Sequence, residues 1–228
     1  MIRRLLFYSF AMLVVALPAM TTASQIVIGP PDPGGEHGFD YWYHGTGGAG
    51  FLFIDNADPA SGNNDFTLGN TNATKGNLSD WRSQNFALGP AAKGAEPITF
   101  SFAYELPDNV SSGDNIRVEL RFFDATGTNF LDEKKILVGS DTGDSNMTRY
   151  KRVTITNIHA PKRAQTADIS FNANLFEPWA SGTGRFDDFS VTVQKRSLTM
   201  LVVVTGLTAL LIVIGIGAAR WLNRARRL

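Results

Sequence analysis

The chain has 228 residues with 21 basic and 21 acidic side chains, a formal net charge of zero, and no cysteine. The lack of thiols excludes disulfide staples, thiolate metal centres and cysteine nucleophiles, so a globular part of about 170 residues must be held by its core. The zero charge conceals an asymmetry: two arginines lie in the first 23 residues and six basic residues from Lys195 onward, leaving 13 basic against 21 acidic residues between them, a balance that argues against nucleic acid as a partner.

Residues 1–23 begin with Arg3 and Arg4, continue through an apolar stretch from Leu5 to Pro18, and end in Thr21-Thr22-Ala23. That three-part layout predicts a secretory signal peptide cleaved after Ala23. Residues 24–195 carry no convincing helical period. Short apolar or alternating runs recur instead, separated by Gly, Asn, Asp and Pro. The predicted strands are QIVI (25–28), GFLFID (50–55), DFTLG (65–69), WRSQNFAL (81–88), PITFSFAYEL (97–106), NIRVELRFFD (115–124), KKILVG (134–139), YKRVTITN (150–157), ADISFNA (167–173) and RFDDFSVTV (185–193). Ile98, Phe100, Phe102, Tyr104 and Leu106 keep a strict period of two, as do Ile116, Val118, Leu120 and Phe122. This pattern predicts an all-β jelly-roll β-sandwich forming one extracytoplasmic domain. The glycine-rich stretch from Gly29 to Gly50 reads as an irregular opening loop.

From Leu198 to Ala219 there is no charge, and the length suits a helix crossing a hydrocarbon core of ~30 Å. Arg220, Arg224, Arg226 and Arg227 follow, so residues 220–228 form a basic tail on the cytoplasmic side and the preceding domain lies outside. The lipid bilayer is thus a partner through the C-terminal helix.

The order of pieces between residues 36 and 193 resembles the CenC-like carbohydrate-binding modules and the wider galactose-binding-like jelly rolls. An early Trp42 is followed by GFLFID, the turn Ala60-Ser61-Gly62-Asn63 and DFTL; then come DWRSQNFALGP, EPITFSFAY and VELRFFDATG. TRYKRVTITN, Ala160-Pro161, ADISFNA and the hydrophobic-Asp-Asp-hydrophobic run GRFDDFSVTV complete the series. The Asn-Gly-Asp-Phe-Glu opening usual in such modules is not recognisable. The resemblance implies a structural calcium beside the N-terminal segment, with Asp187 as first ligand, Asp188 as second, and a partner carboxylate among Glu36, Asp40 and Asp55. Without a metal, Asp187 would accept backbone N–H bonds or pair with Arg185 or Arg82.

Sugar recognition needs flat aromatic faces with polar groups beside them. Trp42, flanked by Tyr41 and Tyr43 in YWYHG, and Trp179 in FEPWASGTG, are the candidate platforms, Trp42 first and Trp179 second; each also reads as a lid on the sandwich, Trp179 more so, and Trp81 reads as core. His37, His44 and His159 are scattered, no nucleophile elbow is present, and adjacent aspartates on a strand diverge rather than face one another, so the chain is not predicted to be an enzyme. Two functions remain: a non-catalytic module binding a glycan or polysaccharide at a membrane surface, or a structural or adhesive surface protein on the same fold.

Overall fold

The computed structural model describes residues 25–71, 77–107, 116–138, 147, 149–173 and 181–194. Alternation along the chain dictates the architecture. Ile98, Phe100, Phe102 and Tyr104 all fall inward and are buried, while Thr99 and Ser101 between them stay partly open. A chain with many such two-faced strands buries its apolar files by laying one sheet on another.

The described residues form twelve strands: β1 (Gln25–Gly29), β2 (Trp42–Gly47), β3 (Gly50–Asp55), β4 (Asp65–Asn70), β5 (Leu78–Ser83), β6 (Phe86–Ala87), β7 (Ile98–Glu105), β8 (Ile116–Phe123), β9 (Phe130–Val138), β10 (Lys151–Ile158), β11 (Thr166–Ala173) and β12 (Gly182–Gln194). One antiparallel sheet runs β10-β7-β12-β4-β3 with β1 added on β12; the other runs β2-β5-β11-β8-β9 with β6 added on β11. This is the expected β-sandwich of jelly-roll type. The core between the sheets is aromatic. Trp42 packs on Phe66 at 4.6 Å between ring centres, Phe66 on Trp81 at 5.1 Å, and Phe171 on Phe189 at 4.9 Å. Each such side chain contributes about 1.5–3 kcal/mol by leaving water.

Two departures from the sequence pattern bear on function. The opening loop contains a strand: β2 pairs with β5, Trp42 opposite Ser83 and Tyr43 opposite Arg82. The predicted strand 81–88 is instead two, β5 and β6. Between them, the Gln84 amide N–H reaches the Tyr41 carbonyl at 2.8 Å and the Asn85 side chain bonds the Gly127 carbonyl at 2.7 Å.

The leader, the apolar run 198–219 and the basic tail lie outside the described residues. Among the described residues no helix is long and apolar enough to cross a membrane.

Candidate functional site

The paired aspartates sit at a β-bulge. β12 follows β7 in register up to Asp187 opposite Ala103, then resumes at Ser190 opposite Ser101. Asp188, with φ of 55°, takes up the extra residue, so Phe186 and Phe189 both face the core and are fully buried. Asp187 turns to the other side, 1 % exposed, and accepts the N–H of Ser61 at 2.8 Å and of Asp188 at 2.6 Å. It pairs with neither Arg185 nor Arg82. The opening loop closes over it: the Phe189 N–H donates to the Pro33 carbonyl, and a Cβ on Gly34 would lie 2.4 Å from Asp187 Oδ1, so only glycine fits there. Burial, then the neighbouring Asp188 and Asp65 charges, push the Asp187 carboxyl up to about 6, against its two N–H bonds.

The other carboxylates proposed as metal ligands are dispersed. Glu36 accepts the N–H groups of Asn63 and Asn64 at 2.8 and 3.1 Å, and the Asn63 N–H foremost holds its carboxyl below the usual range. Asp188 is held by the Ser61 hydroxyl and the Arg152 guanidinium. Asp55 faces Arg185 at 2.6 Å, and Asp40 is exposed, its carbonyl taken by the Gln84 amide. Asp40 and Asp55 therefore do not join Asp187, because loop closure and an arginine place them elsewhere. Among the described residues no three carboxylate or imidazole groups converge as for a metal ion.

The aromatic run divides by strand alternation. Trp42 is 2 % exposed, packed on Phe66, Phe171 and Phe189, and its indole N–H donates to the Asp32 carbonyl at 2.8 Å. It is core and offers no face to a ligand. Asp32, itself buried, ties the loop by accepting the N–H groups of Glu36 and His37. Tyr41 is half-buried against the core and edge-on to His37 at 5.6 Å. Tyr43, on the opposite side of β2 from Trp42, is 56 % exposed with Arg82 5.5 Å from its ring centre. Trp179 lies outside the described residues.

The strongest site geometry is one the sequence reading did not single out. On the face of the second sheet turned away from the core, cross-strand register sets the row Tyr43, Arg82, Ser170, Glu119, Lys135 beside the row Gly45, Asp80, Asn172, Arg117, Leu137. A third row brings Asp168, Arg121 and Glu133 together. An open groove of about 430 Å³ runs over these rows, with Phe123 and Phe130 at one end, a volume suited to a small ligand or a few sugar rings. Arg121 grips Asp168 with two parallel bonds, Nε at 2.8 Å and Nη2 at 2.7 Å. Phe130 is 54 % exposed and stands edge-on to Phe123 at 6.0 Å.

One buried side chain on this face, Asn172, lacks partners. Both side-chain polar atoms of Asn172 are buried without a hydrogen bond. Glu119 is 5 % exposed; burial, then the Glu133 charge, pushes its carboxyl up, against the nearby Arg121, Arg117 and Lys135 charges. Burial likewise raises Asp80, whose Oδ1 has only the Ser170 hydroxyl at 3.3 Å. Buried polar groups are nearly always satisfied, so the two orphaned atoms of Asn172, opposite the groove residues Asp80 and Arg117 across the strands, mark where bonding on this face is incomplete. The available signal was the polar file Asp168, Ser170, Asn172 on β11, alternating with the apolar file Ala167, Ile169, Phe171.

No protein-family model and no curated protein matches the sequence. Among solved structures, the enzymatically active domain of tailspike protein 4 from bacteriophage CBA120 is similar with TM-score 0.54 at 12% identity over 73% of this chain; the match spans 21% of the tailspike chain. A cyclase from Fischerella sp. TAU is similar with TM-score 0.52 at 14% identity, over 76% of this chain and 100% of that one. A carbohydrate-binding module, TmCBM61, in complex with beta-1,4-galactotriose, gives TM-score 0.45 at 17% identity, over 72% of this chain and 97% of that one. At these identities the first two likenesses show a shared fold and carry no activity across.

Proposed function

We propose that this domain is a non-catalytic glycan-binding module, held at the outer face of a membrane by the apolar run 198–219, and that it binds in the groove over β5, β11, β8 and β9. The observation that carries the reading is the open groove of charged and polar side chains, Asp80, Arg82, Arg117, Glu119 and Ser170 among them, on a face whose margins hold the exposed rings of Tyr43 and Phe130. Sugars supply what such a face lacks: hydroxyl donors and acceptors for the floor, and C–H faces for the rings. The binding surface therefore shifts from the Trp42 loop of the sequence reading to the open face of the second sheet. The test is a glycan array and titration with the full chain in a detergent free of sugar headgroups. Phe130→Ala or Tyr43→Ala should each weaken binding by about 1–3 kcal/mol, as for other ring-stacking contacts, with the fold intact. Absence of binding to every glycan class would reject the reading. Protease added to intact cells should remove the domain and spare the arginine tail; protection of the whole chain would reject the tether.

A structural calcium belongs to the same proposal in narrowed form. Asp187 is the carboxylate that a cation would neutralise, with Glu36 and Asp188 gripping the same short turn, Ser61 to Asn64. The second functional reading, a structural or adhesive surface protein without a sugar site, draws its support from the burial of Trp42, which removes the loop-end platform.

A further inference from the structure

β1 begins and β12 ends at the same end of the sandwich. Gln194 pairs with Gln25, and Val193 pairs with Ile98, the first residue of β7, which in turn lies beside Ile158, the last residue of β10. Two short connections are fastened to each other there, one leading into β7 and one leaving β10. The Lys93 N–H donates to the Ala164 carbonyl at 2.8 Å, and the Ala164 N–H to the Pro161 carbonyl at 2.9 Å. A Cβ on Gly94 would lie 2.6 Å from the Ala160 carbonyl oxygen, so the two connections touch. Lys93, Lys162 and Arg163 therefore stand on one platform, and all three are exposed. None of these side chains has a hydrogen bond or ion pair among the described residues. The carboxylates nearby are engaged: Asp124 accepts from Thr126 and Asn129, and Glu96 has a partner of its own.

Three unpaired cations at one end are not what composition supplies, since this domain carries 13 basic against 21 acidic residues. They gather where the chain leaves the sandwich. Lys195 and Arg196 follow Gln194 directly in the sequence, and the apolar run begins at Leu198. Four residue steps reach at most about 14 Å, so a bilayer entered at Leu198 is within that distance of Gln194.

We propose that this end of the sandwich docks on anionic lipid headgroups, with Lys93, Lys162 and Arg163 on the phosphates of acidic phospholipids. This rests on the membrane tether of the reading above and deepens it. A tether alone leaves the domain free to tilt, whereas each cation held at an anionic surface multiplies the ratio of docked to undocked states by about five. Docking also sets the direction of the groove. Phe123 pairs with Thr166 at this end, while Asp80 and Arg117 flank Asn172 further along β11. The Phe123 and Phe130 end of the groove is then nearest the lipid, and its Asp80 and Arg117 end faces away.

The chain has no cysteine, so one introduced cysteine carries one fluorophore. Full-length Gln165→Cys is labelled at the docking end. Thr46→Cys is labelled at the other, because Thr46 pairs with Ser79 and Ser79 with Ala173, at the opposite end of β11 from Thr166; both positions are exposed. Each is placed in nanodiscs of phosphatidylcholine, with or without phosphatidylglycerol, that contain a lipid bearing a nitroxide quencher on its headgroup. Phosphatidylglycerol should raise quenching of the Gln165 label at least about twofold and leave the Thr46 label unchanged. Added salt should reverse the rise, since it is a charge attraction. Lys93→Gln, Lys162→Gln and Arg163→Gln together should hold quenching at the phosphatidylcholine level, with the melt unchanged because all three are exposed and unpaired. Should that variant fail to fold, the salt series on the unaltered platform decides. Quenching at Gln165 no greater than at Thr46, or equal with and without phosphatidylglycerol, overturns the docking and leaves the tether standing. A rise that persists in the triple variant or in high salt overturns the assignment to these cations. Failure of the chain to enter phosphatidylcholine discs overturns the tether and the docking together.

Discussion

Replacing Trp42 by alanine separates a core role from a ligand-binding one. The indole is 2 % exposed and wedged among Phe66, Phe171 and Phe189, with ring centres 4.6, 5.6 and 5.6 Å away. Truncating a buried Trp costs about 3–5 kcal/mol in lost transfer energy and cavity. The lost N–H bond to the Asp32 carbonyl, 2.8 Å long, adds about 1 kcal/mol and frees the loop that covers Asp187. Against a total stability of about 5–15 kcal/mol, this is a third or more. The melting temperature should fall by roughly 8–24 °C, at about 2–4 °C per kcal/mol for a domain of this size. Trp42→Phe keeps an aromatic ring and loses the donor, so it should cost only about 1–2 kcal/mol. Urea unfolding followed by far-ultraviolet circular dichroism measures both, with a parallel glycan titration on whatever remains folded. A Trp42→Ala variant within about 1 kcal/mol of the unaltered chain, with glycan affinity lost, would refute the core assignment and restore the loop-end site.

Arg121→Ala should cost about 3–5 kcal/mol, because it leaves the buried Asp168 carboxylate unpaired; the double variant with Asp168→Ala should recover much of that, and a single variant losing under about 1 kcal/mol would show the pair to be dispensable. In chelator, stability should be greatest near pH 4 and fall as pH rises through about 6, since the folded state holds the Asp187 proton more tightly than the ordinary value of 3.8 allows. That interval corresponds to at most about 3 kcal/mol. Asp187→Asn should flatten the profile, and calcium should restore stability at neutral pH; a flat profile in the unaltered chain, or one indifferent to calcium, would reject the burial argument or the cation respectively.

The sandwich was legible where one sheet face is apolar and the other is not. Ile98 to Leu106 and Ile116 to Phe122 alternate without interruption, and β7 and β8 form there. β2 was not legible, because its residues, WYHGTG, carry three polar side chains and two glycines and owe their strand to pairing with β5 rather than to propensity. Missing β2 also misplaced Trp42: within a strand, adjacent Trp42 and Tyr43 must face opposite ways, and only one can be a platform. For Asp187 and Asp188 the sequence posed the conflict correctly, since one carboxylate does turn into a buried site. The bulge that resolves it depends on a left-handed φ at Asp188, which nothing in RFDDFSV announces. The groove was partly visible as the polar file on β11, but which side chains of β5, β8 and β9 gather beside that file is settled only in three dimensions.

Both sheets carry charge on the side away from the core, and the difference between them is what locates the site. On the first sheet Arg185 lies 2.6 Å from Asp55 and 3.8 Å from Glu105, Tyr150 donates to Asp65, and Asp187 and Asp188 are closed off by Ser61, Gly34 and Arg152. Those groups satisfy one another, so that face fastens the opening loop and the Ser61 turn to the sandwich and has little left to offer a ligand. On the second sheet Arg121 completes Asp168, while Asp80, Arg82, Glu119 and Ser170 line an open groove with Phe123 and Phe130 at one end, and both polar atoms of the buried Asn172 have no hydrogen bond. Leaving one buried polar atom unmet costs about 1–3 kcal/mol. A domain without disulfides, dependent on its core, carries that cost on one face and avoids it on the other. The unmet side-chain amide of Asn172 is the difference on the second sheet. It is accounted for if the missing partners arrive with a ligand.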